Sequence, residues 1–217
     1  GMHWPYKQHK TSRDQKLLPY HEDLKNAGAC FGQSGEYERP MWYALGDIKP
    51  EYDYSFNYQN WYPSVIHESK NTIENVGLFE LSPFSKYEIK GEGAYDELQR
   101  LCTANIKGDI GKCTYTHMLN EGGGIETDLT VVCIKKNYFR IISSAAVRTH
   151  DKAHILKHLS KDVEFKDVTD DLICLGIFGP KSRELLSKIT NENLSNEKFK
   201  FGTSKNINIK NNILKIF

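Results

Sequence analysis

In Cys113-Thr-Tyr-Thr-His-Met-Leu-Asn-Glu-Gly-Gly-Gly-Ile-Glu-Thr-Asp-Leu-Thr-Val-Val-Cys-Ile-Lys135, two runs of strand-forming residues flank a triple glycine. Residues 113–119 and 129–135 read as strands and residues 120–124 as the turn between them, because glycine takes positive φ at no Cβ penalty. The product is a hairpin with a flexible tip. Asp128 stands at the mouth of the second strand, just past the glycines and ahead of an apolar run. A carboxylate there either caps the turn through backbone N–H groups or does chemistry in a pocket at the hairpin's far end. The glycine run is not a phosphate cradle, since neither a Lys-Ser/Thr pair nor a strand-to-helix setting accompanies it. The hairpin is expected to turn Asp128 toward a concave pocket and away from bulk solvent.

Working outward, residues 84–90 alternate Tyr87 and Ile89 with Lys86, Glu88 and Lys90, which predicts a half-buried strand, and residues 78–81 predict another before it. Gly91 and Gly93 interrupt the pattern. Ala94, Leu98 and Leu101 then form the stripe of a short amphipathic helix. Downstream, Lys136-Asn137 turns the chain into a strand over 138–143, followed by a helix over 148–159 and a strand over 163–168. An apolar strand over 172–178 leads through Gly179-Pro180 into a helix over 182–189, the opening of a second strand-helix-strand unit, and one more strand is expected at 207–213.

Toward the N-terminus a helix is expected at 64–75, where Val65, Ile66, Ile73 and Val76 recur at helical spacing and Gly77 follows. Residues 1–60 show little periodicity and read as an extended arm with one short helix near 20–27, stopped by Gly28 in a left-handed cap. The fold class is therefore α+β, with mixed or antiparallel sheets and flanking helices. Its parts are an arm over 1–60, a first α+β domain over 61–170 and a truncated second unit over 171–217. An unfinished unit leaves a sheet edge and an apolar face uncovered, so association into a homo-oligomer or with a partner is expected.

Twenty-nine Lys and Arg against 28 Asp and Glu leave a formal charge of +1, so no electrostatic footprint for nucleic acid or an anionic membrane is present. No apolar run approaches the ~20 residues that span a bilayer, which places the chain in the cytoplasm or an organelle matrix. The five cysteines, Cys30, Cys102, Cys113, Cys133 and Cys174, are widely spaced, and Cys102, Cys133 and Cys174 sit among apolar neighbours as small core residues. His150, His154 and His158 share one helical face, but no carboxylate or thiolate cluster joins them in the sequence, so a solvated face is expected and no metal is called for.

Five segments carry a resemblance. The run from Tyr115 through Asp128 to Val131 resembles the signature hairpin of the glycine-cleavage T-protein (aminomethyltransferase) family. Val76-Gly-Leu-Phe-Glu-Leu-Ser-Pro-Phe-Ser-Lys-Tyr-Glu-Ile-Lys-Gly91 is similar to that family's preceding strand pair. In the arm, Gly1-Met-His-Trp-Pro5, Gly28-Ala-Cys-Phe-Gly32 and Tyr37-Glu-Arg-Pro-Met-Trp42 resemble the folate-side region of dimethylglycine and sarcosine dehydrogenases, where it follows a flavin domain. The likeness covers essentially the whole chain, in order and with similar spacings.

The resemblance implies the front portion of a folate-binding aminomethyltransferase fold with tetrahydrofolate as cofactor. A one-carbon unit from dimethylglycine, sarcosine or glycine would be taken up to give methylene-tetrahydrofolate. Asp128 matches the family's catalytic carboxylate, and Tyr115, Phe84, Thr130 and Ser144 match positions lining the folate channel. Their side chains suit those roles: the two aromatics offer flat apolar surface or core packing, and the two hydroxyls offer hydrogen bonds. Thr127 departs from the glycine-cleavage branch, which has an acidic residue there. The family's later pterin-binding stretch and C-terminal barrel would lie beyond Phe217, and a flavin dehydrogenase domain or subunit is the implied partner. A second reading is a non-catalytic folate-binding or assembly module.

Overall fold

The computed structural model describes residues 4–217, so Gly1, Met2 and His3 of the N-terminal motif lie outside the described residues. In chain order the elements are α1 (His21–Asn26), β1 (Ala29–Ser34), β2 (Tyr37–Tyr43), α2 (Tyr62–Glu74), β3 (Gly77–Glu80), β4 (Ser85–Lys90) and α3 (Ala94–Leu101). Then come β5 (Cys113–Leu119), β6 (Ile125–Lys135), β7 (Tyr138–Ser143), a 3-10 turn (Ala145–Val147), α4 (Arg148–His158) and β8 (Glu164–Asp167). The chain ends with β9 (Leu175–Phe178), α5 (Ser182–Ser187), β10 (Lys205–Ile209) and β11 (Asn212–Ile216). All strand pairings are antiparallel, giving an α+β architecture.

Two compact units result, one from Gly1–Pro83 with Leu175–Ser182 and one from Phe84–Cys174 with Arg183–Phe217. In the first, β1 and β2 pair into a hairpin whose register slips where Phe31 faces Pro40, since proline has no N–H for the ladder. The expectation of an extended arm is corrected by this hairpin, which the sequence pattern does not announce. What fastens it comes from elsewhere in the chain: Arg13 binds both oxygens of buried Glu38, at 2.6 Å each. In the same unit β3 pairs with β9. Gly179 follows at φ +121°, and a Cβ there would lie 2.5 Å from Asn75 O and 2.6 Å from Thr72 O, so only glycine lets the backbone pass the end of α2.

The second unit is built on a five-stranded sheet ordered β5-β6-β7-β4-β8. One face carries Tyr87, Ile89, Met118, Leu129, Val131, Cys133, Phe139 and Ile141, buried with Ala94 and Leu98 of α3 and Ile155 of α4. At ~25 cal/mol per Å² of apolar area removed from water, this cluster is the main stabilising term of the unit. The expected half-buried character of β4 is corrected here, because Lys86 and Glu88 on its other face are also buried. Glu88 offsets its desolvation cost by accepting from Tyr138, from Arg140 at 2.7 Å and from Lys90 at 2.9 Å. The single strand expected at 207–213 is instead the hairpin β10–β11, turned at Lys210 and Asn211, both at positive φ. No helix among the described residues is long and apolar enough to cross a membrane.

Glu88 makes a pH prediction. Burial pushes its carboxyl up, but the bonds from Tyr138, Arg140 and Lys90 outweigh this and hold it down to about 2. A depressed carboxylate contributes stability above its unfolded value, about 4.3, and loses it as pH falls through the folded value. Wild type should therefore exceed Glu88→Gln in stability by ~2–3 kcal/mol at pH 6, and the gap should close between about pH 4.5 and 2. Urea midpoints across that range check it; a gap that widens toward low pH would contradict the assignment.

Candidate functional site

The β5–β6 hairpin is closed by one side chain. Asn120 Oδ1 accepts from the N–H groups of Gly122 and Gly124 at 3.0 and 2.9 Å, while Asn120 Nδ2 donates to Glu126 at 2.7 Å. Gly123 takes φ +82°. With the turn closed this tightly, the ladder resumes at Leu119↔Ile125, so β6 begins four residues earlier than the sequence pattern suggests. Asp128 is thus inside the strand and not at its mouth.

Strand register then decides the neighbours. His117 faces Asp128, Tyr115 faces Thr130, and Thr130 faces Ile142 on β7, so these five share one face of the sheet. Tyr115 Oη donates to Asp128 Oδ2 at 2.7 Å. His117 Nε2 lies 3.4 Å from the same hydroxyl, and the two rings meet edge-on. The Asp128 carboxylate in turn pushes the Tyr115 phenol above its ordinary value, so Tyr115 stays a neutral donor.

Asp128 forms part of the wall of a concavity of about 390 Å³. Phe84, Thr130 and Ser144 line it too, with Ile125, Ile142 and Val147 supplying further apolar surface. Four of the five residues expected from the sequence therefore meet at one place. Tyr115 is not among the lining residues; it is 61% exposed and reaches the site through Asp128. Neither aromatic is core, for Phe84 is 39% exposed. Asp128 faces the concavity but remains solvent-exposed, so the expectation that it turns away from bulk solvent holds only in part. Ser144 Oγ accepts from Ala146 N at 3.3 Å at the start of the 3-10 turn, which leaves its proton to donate.

Sequence reasoning misses His117, Thr127 and Ser143. The signal for His117 is its i+2 spacing from Tyr115 on a strand. Thr127 and Ser143 line the concavity, yet each hydroxyl oxygen is buried and unpartnered. A site with apolar side chains, two carboxylates and several hydroxyls suits a heteroaromatic ligand with polar edges. Thiol chemistry has no place in it: burial pushes Cys102 up to about 12 and Cys30 up to about 11, which keeps both as inert thiols. Cys133 is buried as expected, whereas Cys174 is only half-buried.

Comparison with known proteins supplies the family context. The sequence profile described as GCVT N-terminal domain matches residues 20–217. The chain is 39% identical over 199 residues to 4-methylaminobutanoate oxidase (formaldehyde-forming) of Paenarthrobacter nicotinovorans, covering 91% of this chain and 24% of that protein. It is 35% identical to mitochondrial dimethylglycine dehydrogenase of Rattus norvegicus, covering 80% and 20% respectively. Among solved structures, glycine cleavage system aminomethyltransferase T from Bartonella henselae superposes with a TM-score of 0.67 at 24% identity, over 87% of this chain and 46% of that one. The likeness to that structure is one of fold. The chain spans a quarter or less of the length of the two curated relatives.

Proposed function

Because the chain belongs to the GCVT N-terminal domain family, we propose that its concave site binds tetrahydrofolate and serves one-carbon transfer from a glycine-derived donor such as dimethylglycine, sarcosine or glycine. The observation that carries this reading is the Asp128 carboxylate in the wall of the concavity beside apolar side chains and hydroxyls, held by Tyr115. When bound, tetrahydrofolate supplies the nitrogens that take up the one-carbon unit. Phe84, Ile125, Ile142 and Val147 give its rings an apolar face, while Thr130 and Ser144 hydrogen-bond to its polar edges. Asp128 accepts or orients a proton at the folate nitrogens and stabilises nearby positive charge. Tyr115, donating to Oδ2, fixes the carboxylate and leaves Oδ1 for that task. A flavin dehydrogenase domain or subunit is the partner that would deliver the oxidised donor.

Calorimetric titration of the chain with tetrahydrofolate tests the reading. Saturable heat is expected, with one folate per chain and weaker binding for Phe84→Ala by ~1–2 kcal/mol, the scale of removing one half-exposed aromatic ring from the wall. No heat at millimolar folate would overturn folate binding and leave the assembly-module reading.

A further inference from the structure

The three histidines of α4 are expected from the sequence to form a solvated face; His150 is exposed, and the structure adds two carboxylate neighbours to it. Its Nε2 lies 3.0 Å from Glu126 Oε2 on β6, and its Nδ1 lies 3.4 Å from Asp151 Oδ1 on its own helix. Asp151 is fully buried, and its second oxygen has no partner. The other oxygen of Glu126 holds Asn120, the residue that closes the glycine turn. A continuous chain of polar contacts therefore runs from Asp151 through His150, Glu126 and Asn120 to Gly122 and Gly124. Two of the elements it joins meet at one concavity, for Glu126 of β6 and Val147, directly before α4, both line it.

Imidazole chemistry makes this link conditional. The neutral ring has one N–H and one lone pair, so it can serve one carboxylate while its bare nitrogen faces the other. Only the imidazolium donates from both nitrogens. We propose that His150 is a positioning residue that works as a proton-gated clamp: protonated, it donates to both Glu126 and Asp151 and fastens the glycine hairpin and the Ile125–Asp128 wall to the start of α4, and neutral, it keeps only one of the two bonds and loosens them. The groups facing it are Glu126 from β6, Asp151 beside it, and His154 one turn on, with Lys157 and His158 behind His154. Asn120 and His150 together hold Glu126 below the ordinary carboxylate range. His150 is about half exposed, so the clamp is a modest bias and not a structural mainstay.

The link between proton and hairpin stands on this geometry alone, and its effect on ligand affinity rests on the folate reading above. Nuclear magnetic resonance of the chain from pH 5 to 8.5 tests the link directly. The amide signals of Gly122 and Gly124 should move together with the signals of the His150 ring, and Glu126→Gln, which removes the facing negative charge, should move both titrations toward lower pH together. His150→Gln offers one neutral amide and no titrating ring, so the glycine signals should stay close to their high-pH positions throughout. His150→Ala should leave them near their high-pH positions. Glycine signals that ignore the His150 midpoint, or that still titrate in His150→Gln, would overturn the clamp. In a parallel arm, tetrahydrofolate should bind ~2–5-fold tighter at pH 6 than at pH 8 in wild type, relative to the same ratio in His150→Gln. Absence of folate binding at every pH would overturn the function proposed above, and the resonance data would still decide the clamp.

Discussion

Asp128→Asn is expected to leave the fold intact and to cut folate-linked one-carbon transfer by ~10²-fold or more, a loss typical of removing a group that handles a proton. The amide is a close structural mimic. Its oxygen still accepts from Tyr115, as Asp128 does at 2.7 Å, so a residue that only tied the strand together would survive the exchange. What the amide cannot do is take a proton or carry a negative charge beside a developing cation. The assay must contain the complete system, with the flavin dehydrogenase part present to deliver the oxidised donor. Thermal melts of both proteins should agree within a degree or two. Turnover that persists within a few-fold of wild type would remove Asp128 from the catalytic role.

Phe139→Ala should be the most damaging single change to stability, at ~3–5 kcal/mol. Phe139 is 1% exposed at the centre of the five-stranded sheet, between Cys133 on β6 and Ile89 on β4, with the Tyr95 ring 6.3 Å away. Strands hydrogen-bonded on both sides cannot collapse into the space left by the ring, so the cavity term adds to the forfeited transfer energy. For a domain of this size the melting temperature should fall by roughly 10 °C. Guanidinium unfolding at constant m-value is the cleaner measure, and a cost under about 1 kcal/mol would mean that this core is not the one that holds the unit together.

The contrast between the two hairpins shows what the sequence could reveal. The β5–β6 turn is legible because its glycines and Asn120 act on their own neighbourhood, through bonds spanning two to six residues. The β1–β2 hairpin is not, since Pro40 weakens the strand pattern and the fastening comes from Arg13, outside both strands. At 205–216 the turn uses Lys210 and Asn211 in place of glycine, so two strands look like one.

The site divides in the same way. Asp128 stands out from its position after the glycines, whereas Phe84, Thr130, Ser144 and Tyr115 emerge only through likeness to a family, because residues from four separate segments share no periodicity. Nothing in the spacing of 126, 150 and 151 announces that Glu126 reaches the α4 histidine. That meeting depends on how α4 lies against β6.

The pairing of β3 with β9 has a consequence for how the polypeptide acquires its structure. Gly77 finds its partner in Phe178, after the whole β4–β8 sheet has been laid down between them. Closing so long a loop before any other pairing forms is entropically costly and slow. As the chain leaves the ribosome, the sheet and its helices can consolidate while β3 still waits with an open edge. The earlier strand of this pair is therefore left open until the central sheet has emerged, and it is the segment most in need of protection from neighbouring nascent chains.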